Sequence, residues 1–118
     1  MQKLSTRPKY RKIGLVSEIS ERGEALVFEI DPLNFIAGFA IKFNGKIYCY
    51  RNQCPHTGSQ LDWVAGRFFD DEGEMLVCAT HGAIFEPSTG KCINGPCVNQ
   101  RLIHVSVKLE DDYLFAWF

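Results

Sequence analysis

Two short segments of the chain each combine a thiol with an imidazole: Cys54-Pro55-His56 and, after twenty-one intervening residues, Cys78-Ala79-Thr80-His81. Thiolate and neutral imidazole are both transition-metal ligands, so two such pairs could close a four-ligand site around a metal ion or an iron–sulfur cluster. Either pair alone carries little weight, because buried cysteine is usually plain packing. Together they use two of only three histidines in the chain, which is hard to ascribe to chance. A structural zinc ion is one candidate occupant, since Cys2His2 is a common tetrahedral set. Zinc sites, however, usually join Cys to Cys and His to His at short spacing, and here each loop holds one of each.

The other residues of these types read as bystanders. His104 falls on the wetter side of a strand with no cysteine or histidine beside it. Cys49 alternates in phase with Ile47 and reads as a small core residue. Cys92 and Cys97 bracket Ile93-Asn94-Gly95-Pro96; they are within reach of each other across that loop but are read as redox-inactive thiols. Five cysteines are an odd number, and the first dozen residues lack the apolar core of an export signal, so a disulfide framework is not expected and a reducing cytoplasm is the default location.

The elements that must position the two loops are strands. Stretches rich in β-branched and aromatic residues recur along the chain, each closed by a turn signal, and none shows sustained helical periodicity. The clearest hairpin joins residues 35–43 to residues 46–51 through Asn44-Gly45, a dipeptide that accepts the positive φ angles of a type I′ turn. Further turns are expected at 70–74, 87–90 and 110–112. Between residues 102 and 109, Ile103, Val105, Val107 and Leu109 alternate with Leu102, His104, Ser106 and Lys108, the pattern of a half-buried strand. The expectation is an all-β chain.

At 118 residues the chain is large enough for one core and too small for two full domains, so residues 1–118 are read as a single domain. Thirteen basic against fourteen acidic residues exclude the electrostatic footprint of a nucleic-acid binder. Lys3, Arg7, Lys9, Arg11 and Lys12 make the N-terminal segment basic, and it is read as a solvated, frayed terminus. The longest apolar run, residues 35–41, falls far short of the ~20 residues that span a bilayer, so no membrane anchor is expected.

The order Cys-x-His then Cys-x-x-His, with His56-Thr57-Gly58, His81-Gly82 and a later Gly95-Pro96, resembles the Rieske family. The resemblance covers roughly residues 52–96 and implies an antiparallel β-sandwich base domain with a small cluster-binding lobe at about 52–97. It implies a Rieske-type [2Fe–2S] cluster, with Cys54 and Cys78 on the inner iron and His56 and His81 on the outer one. Neutral imidazoles leave less negative charge on that iron than thiolates would, which favours reduction. The separation between the loops is a few residues longer than is common in the family, and the excess is assigned to the polar 70–74 turn. Glycines 58 and 82 would let backbone amides approach the bridging sulfides.

Membrane-bound, high-potential members of the family carry an extra cysteine on each ligand loop, at positions that look like Ser59 and Thr80 here, so no disulfide joins the loops. Those members also place hydroxyls where this chain has Ala83 and Phe85.

The function the resemblance implies is that of a one-electron carrier. It would take electrons from an NAD(P)H-dependent flavoprotein reductase and pass them to a terminal oxygenase or similar acceptor, with docking near His56 and His81. It is not expected to be an enzyme itself: a mononuclear iron site would need two histidines and a carboxylate, and only His104 remains. The alternatives are a small Rieske subunit of a nitrite-reductase-like complex and, behind it, the zinc module. The isolated chain is expected to be a monomer.

Overall fold

The computed structural model describes residues 9–55, 58–62, 64–80 and 82–118. Nine strands lie among them: β1 Tyr10–Leu15, β2 Leu26–Asp31, β3 Ile36–Phe43, β4 Lys46–Arg51, β5 Leu76–Val77, β6 Ile84–Phe85, β7 Cys92–Asn94, β8 Val107–Glu110 and β9 Tyr113–Trp117. They pair antiparallel in three sheets of order β1-β9-β8, β2-β3-β4 and β5-β6-β7. Among the described residues the helical content is two single 3-10 turns, Val16–Glu18 and Pro32–Asn34, so the all-β expectation is met. No helix among the described residues is long and apolar enough to cross a membrane.

The centre of β3, residues 38–41, is buried on both faces, which is why the strand reads as a continuous apolar run rather than as an alternation. Phe39 and Ile41, paired with Tyr50 and Tyr48, face one core, which also contains Phe68, Leu76, Phe85 and Leu102. Ala40 and Cys49, paired with each other, face a second core with Phe28, Val105, Leu114 and Ala116. Burial pushes the Cys49 thiol well above its ordinary pKa, consistent with a packing role.

The Asn44-Gly45 hairpin forms as its residues demand, with φ of 54° and 79°. Its two amide N–H groups are both taken up by the Glu21 carboxylate, at 2.6 and 3.0 Å. The Gly45 N–H foremost, then the Asn44 N–H and the Arg22 and Lys42 charges, hold that carboxyl below the usual carboxylate range. β3 begins at Ile36, one residue later than expected, because Phe35 caps the preceding 3-10 turn in the left-handed region. The three other turns form where expected. In the last of them, Asp111 and Asp112 both take positive φ and carry β8 into β9 without a glycine.

Two expectations are corrected. The N-terminal basic segment is not frayed from Lys9 onward. Tyr10–Leu15 is the edge strand β1, and Lys9 exchanges two backbone hydrogen bonds with Phe118 at 3.0 and 3.1 Å. Its lysine is held by an aromatic ring on the partner strand, with Lys12 Nζ 4.2 Å from the centre of Tyr113; Lys3 and Arg7 lie outside the described residues. Nor is 102–109 one strand. Residues 103–105 bond to the end of β4, through Arg51 N–H to Ile103 O and Val105 N–H to Cys49 O, before the chain joins β9 at Val107. Changing partners turns the segment over. Leu102 packs in the first core and Val105 in the second, while Ile103 and Leu109 are exposed. His104 is exposed, as expected, with its ring against the edge of Tyr50.

Candidate metal centre

The loop 52–61 leaves the end of β4, and the loop 78–83 links β5 to β6, so both ligand loops are anchored on strands at their start. Their backbones close in the same way. The Cys54 N–H donates to Ser59 O at 2.8 Å and the Gly58 N–H to Cys54 O at 2.6 Å; the Cys78 N–H donates to Ala83 O at 2.8 Å and the Gly82 N–H to Cys78 O at 2.7 Å. In each loop a glycine four residues after the cysteine takes positive φ, +78° at Gly58 and +70° at Gly82, a conformation that costs a side-chain-bearing residue energy. Among the described residues, a Cβ built on either glycine would meet nothing within 4 Å. Two different sequences thus close through the same backbone hydrogen bonds.

Cys54 and Cys78 are buried and belong to the same core cluster, and neither takes part in a disulfide. His56 and His81, the other two candidate ligands, lie outside the described residues, as does Thr57. Among the described residues no group of three or more metal-ligating side chains forms, since half of the candidate set is not among them. The donor chemistry still fits an iron–sulfur cluster: two buried thiols on matched turns.

A third segment packs against the second ligand loop. A Cβ on Gly95 would come within 2.9 Å of Ala83 Cα, so only glycine allows the 92–97 loop to lie this close to the residue following His81-Gly82. The ends of that loop are joined by a disulfide between Cys92 and Cys97, whose Cα atoms are 5.9 Å apart. This corrects the reading of the two as independent thiols. The backbone at Gly95, with φ of +102°, turns the chain back so that two residues five apart face each other.

Two residues escaped the sequence reading. Asn52 is buried at 2% exposure; its Oδ1 accepts the Leu61 N–H at 2.8 Å and its Nδ2 donates to Asp62 Oδ1 at 2.9 Å. Leu61 O in turn accepts the Ala79 N–H at 2.8 Å, so a buried chain of hydrogen bonds runs from the start of the first ligand loop to the second. Asp62 extends it by accepting the Gly66 N–H at 3.1 Å.

Residues 10–110 match the sequence profile of the Rieske [2Fe–2S] domain. The chain belongs to the Rieske family. Its cofactor is a Rieske-type [2Fe–2S] cluster. The Rieske fold is also found in solved structures similar to this one. The ferredoxin of carbazole 1,9a-dioxygenase from Nocardioides aromaticivorans IC177 superposes with a TM-score of 0.70 at 20% identity, covering 94% of this chain and 97% of that one. A complex of reduced oxygenase and oxidized ferredoxin in carbazole 1,9a-dioxygenase matches with a TM-score of 0.71 at 19% identity, covering 91% of each chain. At these identities the likeness is one of fold. Cholesterol 7-desaturase from Caenorhabditis elegans is 30% identical over 81 residues, which are 69% of this Rieske chain and 18% of the desaturase. This chain therefore spans about a fifth of that relative's length.

Proposed function

We propose that this Rieske chain is a one-electron carrier whose cluster is held by Cys54 and Cys78 on one iron and by His56 and His81 on the other, within a single domain of residues 1–118. The matched hydrogen-bond circuits around Cys54 and Cys78 support this reading, because each presents a buried thiol on the same kind of turn, and the Rieske family match favours a [2Fe–2S] cluster over zinc as the occupant. When bound, the cluster supplies reversible one-electron chemistry. The chain's own residues do the rest: the cysteine loops fix two sulfurs inside the core, the glycines supply the positive φ that closes each loop, and the Gly95-Pro96 loop packs on the second one. Its expected partners are an NAD(P)H-dependent flavoprotein reductase as donor and a terminal oxygenase as acceptor, both docking transiently near His56 and His81. The ferredoxin and oxygenase likenesses support this reading. Cytoplasmic location, a monomeric state and absence of catalysis by the chain alone complete it.

The midpoint potential tests the proposal. Cys78 and Ala83 are joined across the start of the β5-β6 hairpin, and Leu76 pairs with Phe85, which places Ala83 and Phe85 on the sheet face of Cys78. Both are fully buried and neither can donate a hydrogen bond from its side chain. Donors toward cluster sulfurs draw off negative charge and raise the potential, so their absence keeps it low. Protein-film voltammetry is expected to show a reversible one-electron wave toward the lower end of the roughly −150 to +300 mV range of Rieske centres. Ala83→Ser and Phe85→Tyr should each raise it by tens of millivolts, since ~59 mV corresponds to about 1.4 kcal/mol and one hydrogen bond is worth ~0.5–1.5 kcal/mol. A wild-type midpoint near the upper end, or a double variant that does not rise, would contradict this, as would dioxygen-dependent oxidation of an organic substrate by the isolated chain.

A further inference from the structure

The Cys92–Cys97 disulfide lies outside both ligand loops, yet its position ties it to the second of them. β7 pairs Cys92 with Phe85, and both cysteines, each 1% exposed, belong to the core cluster that contains Cys54 and Cys78. Between the cysteines, residues 93–96 are all exposed. This exposed loop meets the second ligand loop at the close contact of Gly95 with Ala83. The two arms of the loop are bridged at its base by backbone hydrogen bonds, Cys92 N–H to Gln100 O at 2.9 Å and Leu102 N–H to Gly90 O at 2.8 Å, whereas past Asn94, which pairs with Ile84, the hydrogen bonds of the tip stay local: Val98 N–H to Gly95 O at 3.4 Å and Gln100 N–H to Cys97 O at 2.8 Å. The disulfide is the covalent tie nearest the tip.

We propose that the Cys92–Cys97 disulfide is a redox-operated clamp on the cover of the cluster: closed, it holds Gly95-Pro96 on the second ligand loop, and opened by a dithiol it lets that cover lift. The inference rests on Cys54, His56, Cys78 and His81 being the ligands. Opening is thiol–disulfide exchange. A thiolate of the dithiol attacks one sulfur to give a mixed disulfide, its second thiol then displaces the protein sulfur, and Cys92 and Cys97 are left as two thiols while the dithiol becomes a cyclic disulfide. Two electrons and two protons pass to the protein. The closed bond restricts the conformations of the loop, and the open form regains that freedom. The clamp thereby makes the lifetime of a one-electron site depend on two-electron thiol chemistry. It does so on a different loop from the disulfide that joins the ligand loops in high-potential relatives.

The experiment uses the loaded protein as purified in air. Iodoacetamide labelling under denaturing conditions, read by mass spectrometry, counts thiols before and after dithiothreitol; loss of visible absorbance in excess chelator gives the cluster lifetime in both states. Cys92 and Cys97 are expected to be unlabelled before reduction and both labelled after it, with cluster loss faster by on the order of tenfold once the clamp is open. The Cys92→Ala/Cys97→Ala variant should lose its cluster at the fast rate with or without dithiothreitol. Because the reduced wild type supplies the same comparison, a variant that fails to fold leaves the test intact. Labelling of both cysteines before reduction, or a coloured protein whose cluster lifetime ignores dithiothreitol, overturns the clamp alone. A chain that takes up no cluster overturns the ligand assignment and the clamp with it.

Discussion

Phe39→Ala is expected to lower the unfolding free energy by about 3–5 kcal/mol, the usual cost of removing a fully buried aromatic ring. Phe39 lies at the centre of β3 with no solvent exposure, stacked on Phe68 with centroids 3.9 Å apart and an interplanar angle of 9°, and its ring also meets Tyr50 at 6.0 Å. Tyr50 is fixed in turn by its hydroxyl, which donates to Pro87 O at 2.7 Å. Partners held this firmly cannot collapse into the vacated space, so a cavity remains and the cost falls at the upper end of the range. Since a domain of this size has ~5–15 kcal/mol in all, much of the protein would be unfolded at moderate urea. Urea titration followed by tryptophan fluorescence measures the effect, and a loss under about 1 kcal/mol would mean that the stack contributes little. Phe39→Leu, which refills part of the space, should lose less than half as much.

Asn52→Ala is expected to cost about 1–3 kcal/mol, because it strands the buried Leu61 N–H and removes the donor to Asp62. Its second consequence separates it from ordinary destabilisation. Leu61 O holds the Ala79 N–H, so releasing Leu61 frees the second ligand loop even though Asn52 precedes the first. The variant should therefore lose its cluster to chelator faster than Phe39→Leu at matched stability. Asn52→Asp keeps an acceptor for Leu61 but sets a second carboxylate against Asp62, and should rank between Asn52→Ala and wild type. Equal cluster lifetimes for Asn52→Ala and wild type would show that the two loops are not coupled through this chain of hydrogen bonds.

The parts of this structure that could be read from the sequence are those fixed by short-range chemistry. Asn44-Gly45 allows few turns other than the one it makes, and glycines four residues after Cys54 and Cys78 mark loops whose geometry is decided within six residues. Features that depend on distant partners were not visible. The basic residues Lys9 to Lys12 look frayed until β9 is placed beside them. The alternation between 102 and 109 misleads because the segment changes sheets midway, which reverses the faces of Leu102 and Ile103. Cys92 and Cys97 are near in sequence, but their pairing depends on the turn at Gly95 that presses the loop on Ala83. Asn52 carries no motif at all; a polar residue just after an apolar strand ordinarily marks exposure, and only the return of Leu61 gives it a partner.

The central claim is that one cysteine and one histidine from each of two loops hold the [2Fe–2S] cluster. Its most direct test is iron and acid-labile sulfide analysis, with electron paramagnetic resonance of the reduced protein, on the wild type and on His56→Ala, His81→Ala, Cys54→Ala and Cys78→Ala. The wild type should be red-brown, contain two irons and two sulfides per chain and give a Rieske signal. Each of the four variants should lose that signal, while Cys49→Ala and His104→Ala keep it. A colourless wild type containing stoichiometric zinc, or a Rieske signal that survives any of the four substitutions, would contradict the account.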